Sequence, residues 1–130
     1  IAVYSIHRSP RNWPEPDKFD PHRWLKPYKN PDEPNWAGYD PDKWMGSIGT
    51  LYPTETATDF AFMPFGGGAR KCVGDQFAMM EATVALAGFL RNYDFEFAGK
   101  TDTPDKVGTN TGATIHTRNG LWMTVTERSK

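Results

Sequence analysis

The chain has 130 residues and a formal net charge of −1, so its composition does not indicate a polyanionic partner such as a nucleic acid. Its length suits one domain, but it contains 12 glycines and 11 prolines and only 38% hydrophobic residues, which argues against a self-contained core. A single cysteine excludes an internal disulfide bond. Because the chain begins with Ile1 rather than Met, we interpret it as a C-terminal piece of a longer protein.

Residues 1–24 are predicted to form a short strand followed by a coiled, meandering segment. Residues 1–6 are apolar on both alternations, which is typical of a strand buried on both faces, and Pro10 cannot continue it. The prolines that follow disfavour long regular elements, while the tryptophans among them are too apolar for plain disorder. Pro16 and Pro41, each followed by Asp-Lys and an aromatic residue, are predicted to mark turns or short helix starts. Residues 25–58 include a stretch rich in Pro, Asp, Asn and Gly, and we predict a surface insertion there.

The cysteine, Cys72, lies near the end of a glycine-rich loop, residues 59–74, just before a predicted helix. A helix N-terminus carries unpaired N–H groups and a partial positive charge, which favour the thiolate, the form of cysteine that binds metal ions. An inert, buried cysteine and a flexible glycine loop are the simpler interpretations. A phosphate-binding loop would need Gly-Lys-Ser or Gly-Lys-Thr at the helix start, where residues 71–73 read Lys-Cys-Val, and a zinc site would need about four clustered ligands.

Residues 75–91 are predicted to form one long helix. Its apolar residues occur on several sides, which is typical of a helix that is buried all round. Asp75 falls in the first turn, where an acidic residue interacts favourably with the helix dipole. The mainly apolar part of the helix is too short to span a bilayer and contains Glu81.

Residues 92–130 are predicted to contain an extended segment followed by a β-hairpin. Two β-prone runs, residues 111–117 and 121–126, flank the dipeptide Asn119-Gly120. Asn-Gly between two such runs is a strong signal for a hairpin turn, so we expect these two runs to pair with each other.

The cysteine loop contains a spaced pattern, Phe-x-x-Gly-x-Arg-x-Cys-x-Gly, formed by Phe65, Gly68, Arg70, Cys72 and Gly74. This pattern resembles the haem-binding loop of the cytochrome P450 family, in which the cysteine thiolate is the fifth ligand of the haem iron. Residues 16–24 resemble the segment that precedes this loop in the family, with His22 in place of the usual glutamate. The resemblance implies the cytochrome P450 fold, which is mainly α with small β-sheets.

The resemblance also assigns roles to residues around the loop. Cys72 is expected to ligate the haem iron, and Arg70 is expected to pair with a haem propionate. Phe65 is expected to pack near the thiolate. Gly74 and Ala78 are expected to lie where the following helix passes close to the porphyrin. Gly66 completes the expected cofactor-binding set, because glycine permits backbone angles that bring amide N–H groups near the sulfur.

Two further sets of residues take their roles from the resemblance. Arg23 matches a structural arginine that family members pair with a Glu and an Arg on an upstream helix, although an ordinary exposed arginine is the simpler interpretation. The text Thr-Gly-Ala-Thr-Ile-His-Thr near the C-terminus resembles the tail of the carotenoid-ring hydroxylases of plants and algae. In the family this region forms a wall of the substrate pocket, so Ala113 and Ile115 are candidate substrate neighbours. A plain terminal hairpin remains an alternative.

The function implied by the resemblance is that of a haem-thiolate monooxygenase, which inserts one oxygen atom of O2 into a C–H bond of a hydrophobic substrate. A carotenoid ring is the candidate substrate, and haem b (iron protoporphyrin IX) is the expected cofactor. Electrons are expected to come from NADPH through a reductase or ferredoxin, for which Lys71 and Arg91 are candidate docking residues. No residue of this piece is expected to be catalytic, and the piece alone is expected neither to fold stably nor to turn over. A plastid is the expected compartment, with the endoplasmic reticulum membrane as the alternative.

Two other interpretations remain open. The chain is a non-catalytic module in the first, either a haem sensor or an anion-binding loop that uses residues 66–68 with Arg70 and Lys71. In the second, it is a truncated gene product without independent activity.

Overall fold

The computed structural model describes residues 1–112 and 114–129, and for residues 104 and 105 only the backbone. The chain divides into two compact units, Ile1–Glu81 and Ala82–Lys130. The regular elements of the first unit are short: one helical turn, α1, and three 3₁₀ helices. Their bounds are Val3–His7 for α1, and Pro21–Leu25, Pro41–Lys43 and Gly68–Arg70 for the 3₁₀ helices.

Two of these 3₁₀ helices start in the same way. Asp20 and Asp40 each precede a proline, and each aspartate side chain accepts a hydrogen bond from the backbone N–H two residues further on. Proline suits the first position because its missing N–H would have no partner there, and aspartate satisfies one of the free donors. The prolines of the meander therefore start turns, as the sequence predicted for Pro41.

The strand predicted over residues 1–6 is wrong, because Val3–His7 forms the helical turn α1. The backbone N–H of Ile6 bonds to the carbonyl of Ala2 at 3.1 Å. A strand needs a neighbouring strand to satisfy its backbone groups, and no strand of the described residues pairs with this segment. Val3 and Ile6, three residues apart, fit one face of a helix as well as they fit a strand.

The core of the first unit is aromatic. Trp13, Trp36 and Tyr39 are between 2% and 6% exposed, and they pack with Ala61. The indole N–H of Trp13 donates to the carbonyl of Ala61 at 3.1 Å, and that of Trp36 donates to the carbonyl of Thr58 at 2.9 Å. Because both polar groups of the tryptophans have partners, the large rings are buried without an unpaired donor.

The predicted surface insertion, residues 25–58, is largely part of this core. It supplies Trp36 and Tyr39 to the aromatic cluster, and it also supplies the buried Tyr52. A two-residue antiparallel bridge holds its start to its middle: Tyr28 and Tyr39 exchange backbone hydrogen bonds of 2.7 and 2.8 Å. The surface prediction is therefore wrong for these aromatic positions. Polar composition indicated a solvated loop, but the few aromatic residues decide where the segment packs.

Helix α2, Asp75–Asn92, agrees with the predicted helix over residues 75–91. The expectation that its sides are buried is wrong among the described residues. The large apolar residues that it leaves between 53% and 68% exposed are Phe77, Met80, Val84, Leu86, Phe89 and Leu90. The sequence pattern reports the apolar character of these side chains, whereas burial depends on whether another element covers them.

The second unit contains two small antiparallel sheets and a short helix. Strand β1, Tyr93–Phe97, pairs with β4, Met123–Glu127, so that Phe95 lies opposite Val125. Helix α3, Pro104–Val107, precedes the second sheet, in which β2, Thr109–Thr111, pairs with β3, Ile115–Thr117. The extended segment predicted after the helix is confirmed as β1.

The predicted pairing of residues 111–117 with residues 121–126 is wrong. The first run folds back on itself at Gly112, whose backbone N–H bonds to the carbonyl of Thr114, while the second run pairs with β1. The Asn119-Gly120 dipeptide does lie in a loop, with Gly120 at φ +74°. The backbone N–H of Asn119, however, bonds to the carbonyl of Val107. A local turn signal cannot reveal a partner strand that lies so much earlier in the chain.

Candidate functional site

The backbone of the cysteine loop closes on itself. The N–H of Cys72 donates to the carbonyl of Phe65 at 2.9 Å, and the N–H of Lys71 donates to the carbonyl of Gly68 at 3.2 Å. Gly66 and Gly68 have φ values of +79° and +69°, a region that other residues rarely adopt. The glycines are therefore needed for this chain path, and the alternative of an unstructured glycine linker does not describe the loop.

Cys72 is exposed and forms no disulfide. It lies three residues before the start of α2, whose first turn includes the hydrogen bond from the N–H of Ala78 to the carbonyl of Gly74. A Cβ atom added to Gly74 would lie 3.9 Å from the cysteine sulfur, which is an ordinary van der Waals contact, so Gly74 lies next to the sulfur. The sulfur is thus an accessible soft donor at the N-terminal end of a long helix.

The other predicted cofactor residues of the loop differ in their surroundings. Phe65 is half-buried, and its ring packs edge-on against Tyr52 with centroids 5.1 Å apart. Arg70 is exposed at the end of the 3₁₀ helix and takes part in no ion pair among the described residues. Ala78 is half-buried in the first turn of α2. An exposed guanidinium and small neighbouring residues suit an anionic, flat ligand.

Lys71 does not act as a free basic residue. Its ammonium lies 2.8 Å from a carboxylate oxygen of Asp75 and 3.8 Å from one of Glu55. The hydroxyl of Tyr52 donates to the same Asp75 oxygen at 2.6 Å. We call these four residues the Lys71 cluster. The charge of Lys71, a candidate docking residue, is therefore matched by carboxylates within the cluster.

Electrostatics in the Lys71 cluster follow from these contacts. The hydrogen bond and charge of Lys71, with the Tyr52 hydroxyl adding to them, hold the pKa of Asp75 well below its usual range. Asp75 in turn raises the pKa of Lys71. Burial, followed by the hydrogen bond to Asp75, raises the pKa of Tyr52. The cluster is thus an ion pair with a neutral phenol at neutral pH.

Arg23 has partners of a different kind from those expected. Its guanidinium donates to the backbone carbonyls of Pro14, Asp20, Glu15 and Lys18, at distances from 2.9 to 3.2 Å. These bonds link the backbone of residues 14–20 around the half-buried side chain of Arg23. Arg23 is therefore structural within this chain, and it is not an ordinary exposed arginine.

The two candidate substrate neighbours both belong to the C-terminal part of the chain. Ile115 lies in β3 with 53% of its surface exposed. Ala113 lies outside the described residues.

Sequence reasoning missed Tyr52 and Glu55. The Lys71–Asp75 pair had a local signal, since opposite charges four residues apart face each other around a helix start. Tyr52 and Glu55 had none, because they belong to the segment that was predicted to be a surface insertion. They contact Asp75 and Lys71 only because residues 52–75 fold back on themselves.

The comparisons with known proteins agree with the motif. The family model described as Cytochrome P450 matches residues 1–123. The chain belongs to the cytochrome P450 family. A cytochrome P450 heme domain of known structure, P450DA, is similar in fold, with a TM-score of 0.63 and 26% sequence identity, and the match covers 98% of this chain and 22% of that one.

Two curated relatives are similar along almost the whole chain. "Cytochrome P450 97B2, chloroplastic" of Glycine max is 55% identical over 99% of this chain and 21% of its own length. "Carotene epsilon-monooxygenase, chloroplastic" of Arabidopsis thaliana is 46% identical over 98% of this chain and 19% of its own length. The chain thus spans about a fifth of the length of these P450 relatives.

The residues of this P450 chain fit a haem group on structural grounds. Iron held by a porphyrin needs one further protein ligand, and the exposed sulfur of Cys72 is such a donor. The described residues contain no cluster of three or more His, Cys, Asp or Glu side chains that would suit a metal held by protein ligands alone. Gly74 lies next to the sulfur and has no side chain that could cover it. No helix in the described part of the chain has the length and apolar character needed to cross a membrane.

Proposed function

We propose that this chain is the cysteine-ligand segment of a haem-thiolate monooxygenase that acts on a hydrophobic substrate. The observation that carries the proposal is the exposed sulfur of Cys72 on a loop closed by the Cys72–Phe65 backbone bond, directly before α2. When bound, haem supplies the centre at which O2 is activated and one oxygen atom is inserted into a C–H bond. The protoporphyrin form, haem b, is the group that we expect.

The proposed roles of this chain are to hold and orient that group. Cys72 would provide the anionic protein ligand of the iron, and Arg70, exposed and without a carboxylate partner among the described residues, would be available to a propionate. Gly66 and Gly68 permit the loop conformation, and the ring of Phe65 packs against the ring of Tyr52 at the start of the loop. Gly74 and Ala78 place the smallest residues at two positions beside the start of α2. We assign no residue of this chain a catalytic role toward oxygen or substrate.

Carotenoids are the proposed substrate class. The support is the similarity to a protein named carotene epsilon-monooxygenase, together with the exposed Ile115 in β3 as an apolar neighbour for such a substrate. Ala113 keeps the same proposed role from the sequence alone. Incubation of the full-length protein with carotenes and a suitable electron donor should give hydroxylated rings, whereas turnover of short-chain fatty acids alone would contradict this substrate class.

Electrons are proposed to come from NADPH through a reductase or a ferredoxin. Of the two basic residues considered for docking, Lys71 is neutralised in its cluster, while Arg91 is exposed in the last turn of α2 and keeps this proposed role. A plastid is the proposed compartment, because the relatives described above are named chloroplastic. Nothing in those names supports the endoplasmic reticulum alternative.

The anion-binding alternative is disfavoured by the loop itself. The backbone N–H of Gly68, which would have to face a bound anion, lies 3.4 Å from a carboxylate oxygen of Glu55. Lys71, the second group of that alternative, is already paired with Asp75. An anion would have to displace one carboxylate and compete with another. A haem sensor is separated from a monooxygenase by turnover of a C–H substrate, which a sensor would not show.

The deciding experiment uses the full-length polypeptide that contains this chain. The reduced, CO-bound protein should show a strongly red-shifted Soret band, and Cys72→Ser should abolish that shift while haem content is measured in parallel. Val73→Ala, next to Cys72 at a fully exposed residue, is the matched control and should keep the band. Nitrogen or water as the axial ligand in the unmodified protein would overturn the proposal.

A further inference from the structure

The Lys71 cluster spans the cysteine. Lys71 directly precedes Cys72, and Asp75 follows it at the first residue of α2, so the ion pair of 2.8 Å between them bridges the ligand position. Two residues from the segment before the loop then contact the members of this ion pair. Tyr52 donates to Asp75 at 2.6 Å, and Glu55 lies 3.8 Å from the Lys71 ammonium.

Glu55 also contacts the part of the loop that precedes Cys72. One of its carboxylate oxygens accepts from the N–H of Gly68, and its side-chain stem lies against the backbone of Gly67, where an added Cβ would be 3.1 Å away. The segment from Tyr52 to Glu55 therefore contacts the loop before Cys72 and, through Asp75, the helix after it.

The charged side chains of the Lys71 cluster are largely buried, which limits how far the loop can move without breaking their contacts. The side chains of Asp75 and Glu55 are only 8% and 10% exposed, and that of Lys71 is 24% exposed. The second carboxylate oxygen of Glu55 has no hydrogen-bond partner among the described residues, so the Lys71 charge is its main compensation. Removing one member of such a group leaves a largely buried charge without its partner, which is destabilising. The cluster therefore resists movement of the loop.

We propose that Tyr52 and Glu55 are positioning residues for the thiolate of Cys72. Tyr52 holds Asp75 and Glu55 holds Lys71, on either side of the cysteine. The carboxylates of Glu55 and Asp75 then engage the Lys71 ammonium, so that it does not neutralise the sulfur. This inference rests on the proposed function, because it concerns how firmly and with how much negative charge the sulfur is presented to haem iron. The residues act through the loop and do not touch the ligand themselves.

A matched pair of tyrosines tests the proposal. The hydroxyl of Tyr39 also makes a 2.6 Å hydrogen bond, to the carbonyl of Trp24, but it lies in the aromatic core. In the full-length holoprotein, Tyr52→Phe and Tyr39→Phe are each examined for global unfolding in urea and for loss of the red-shifted Soret band at sub-denaturing urea. For Tyr52→Phe we expect the band to be lost about tenfold faster than in the unmodified protein, since a hydrogen bond to a charged group is removed. For Tyr39→Phe, band loss should follow global unfolding.

Lys71 variants provide a second, independent measurement. Lys71→Met removes the charge that holds both carboxylates, whereas Lys71→Arg keeps it. We expect Lys71→Met to change the iron midpoint potential and to speed loss of the thiolate band, and Lys71→Arg to restore most of both. A purely structural role would change stability without moving the potential.

Three outcomes separate the hypotheses. The inference is supported if the band is lost faster in Tyr52→Phe than in Tyr39→Phe at matched global stability, and if Lys71→Arg keeps most of the band stability and midpoint potential that Lys71→Met loses. Equal behaviour of the two tyrosine variants, with an unchanged potential in Lys71→Met, overturns the inference and leaves the proposed function standing. Absence of the red-shifted band in the unmodified holoprotein overturns the proposed function itself.

Discussion

Trp13 of the first unit and Trp122 of the second have the same side chain in opposite surroundings: Trp13 is 3% exposed, and Trp122 is 59% exposed. Trp13 packs between other aromatic rings, and its N–H has a carbonyl partner. In the first unit, apolar side chains converge from distant parts of a proline-rich segment. In the second, many apolar side chains of α2 and the strands remain at the surface.

The comparison shows that regular secondary structure and burial are separate properties. The first unit has little helix and no strand longer than an isolated bridge, yet it contains the aromatic core. The second unit has most of the regular hydrogen bonding and little burial of its large apolar residues. A core forms where side chains meet and their polar groups are paired, whether or not the backbone is regular.

The strongest test compares the two tryptophans. Trp13→Ala should lower the free energy of unfolding of the full-length protein by about 3–5 kcal/mol, because it removes a buried ring and leaves a cavity. Trp122→Ala is the matched control and should cost less than about 1 kcal/mol, since most of its ring already faces water. Urea unfolding followed by circular dichroism measures both. Equal costs would break the comparison between the units.

The next test concerns the half-buried Arg23 of the first unit. Arg23→Ala leaves the carbonyls that it bonds without their donor, so we expect a loss of about 2 kcal/mol in unfolding free energy. Arg8→Ala removes an arginine whose ion pair with Asp17 is exposed, and it should cost less than about 1 kcal/mol. Thermal unfolding of both variants gives the measurement, and a larger loss for Arg8→Ala would contradict the role given to Arg23.

Thr101 offers a test within the second unit, where it is an exception to the general exposure. It is fully buried, and its hydroxyl accepts from the N–H of Trp122 at 2.8 Å. Thr101→Val should therefore lower stability by about 1–2 kcal/mol, because that N–H loses its partner. Thr111→Val, at an exposed strand position, should change stability by less than about 0.5 kcal/mol. Similar effects would indicate that Thr101 is not a local anchor, and hydrogen exchange of the Trp122 amide checks the same bond.

The smallest expected effect is a pH dependence in the first unit. Burial lowers the pKa of His7, whose Nε2 accepts from the N–H of Met63 at 2.8 Å and so must be unprotonated. Because the folded pKa is below the unfolded one, near 6.5, stability should be complete above that pH and decline as pH falls below it. His7→Gln should remove this slope. His22→Gln, at an exposed histidine, should leave it, and a slope that persists in His7→Gln would contradict the assignment.

Local patterns predicted part of the fold well. The residues between Asp75 and Asn92 form the predicted helix because their preferences and the acidic first turn agree with one another. The extended segment after it became β1, and Pro41 started a short helix. The predicted pairing of the two C-terminal runs failed because strand partners are chosen over long distances. The N-terminal strand prediction failed because no strand among the described residues pairs with that segment.

Cys72, its glycines and Arg70 could be recognised from the sequence because ligand chemistry and loop conformation both depend on residue types at short, fixed spacings. The tertiary structure alone decided that Arg23 binds backbone carbonyls and that Tyr52 and Glu55 hold Lys71 and Asp75 around the cysteine. Those contacts join residues that are distant in the chain. Their partners are set by how the backbone folds back and by the need to pair buried polar groups, which no local pattern records.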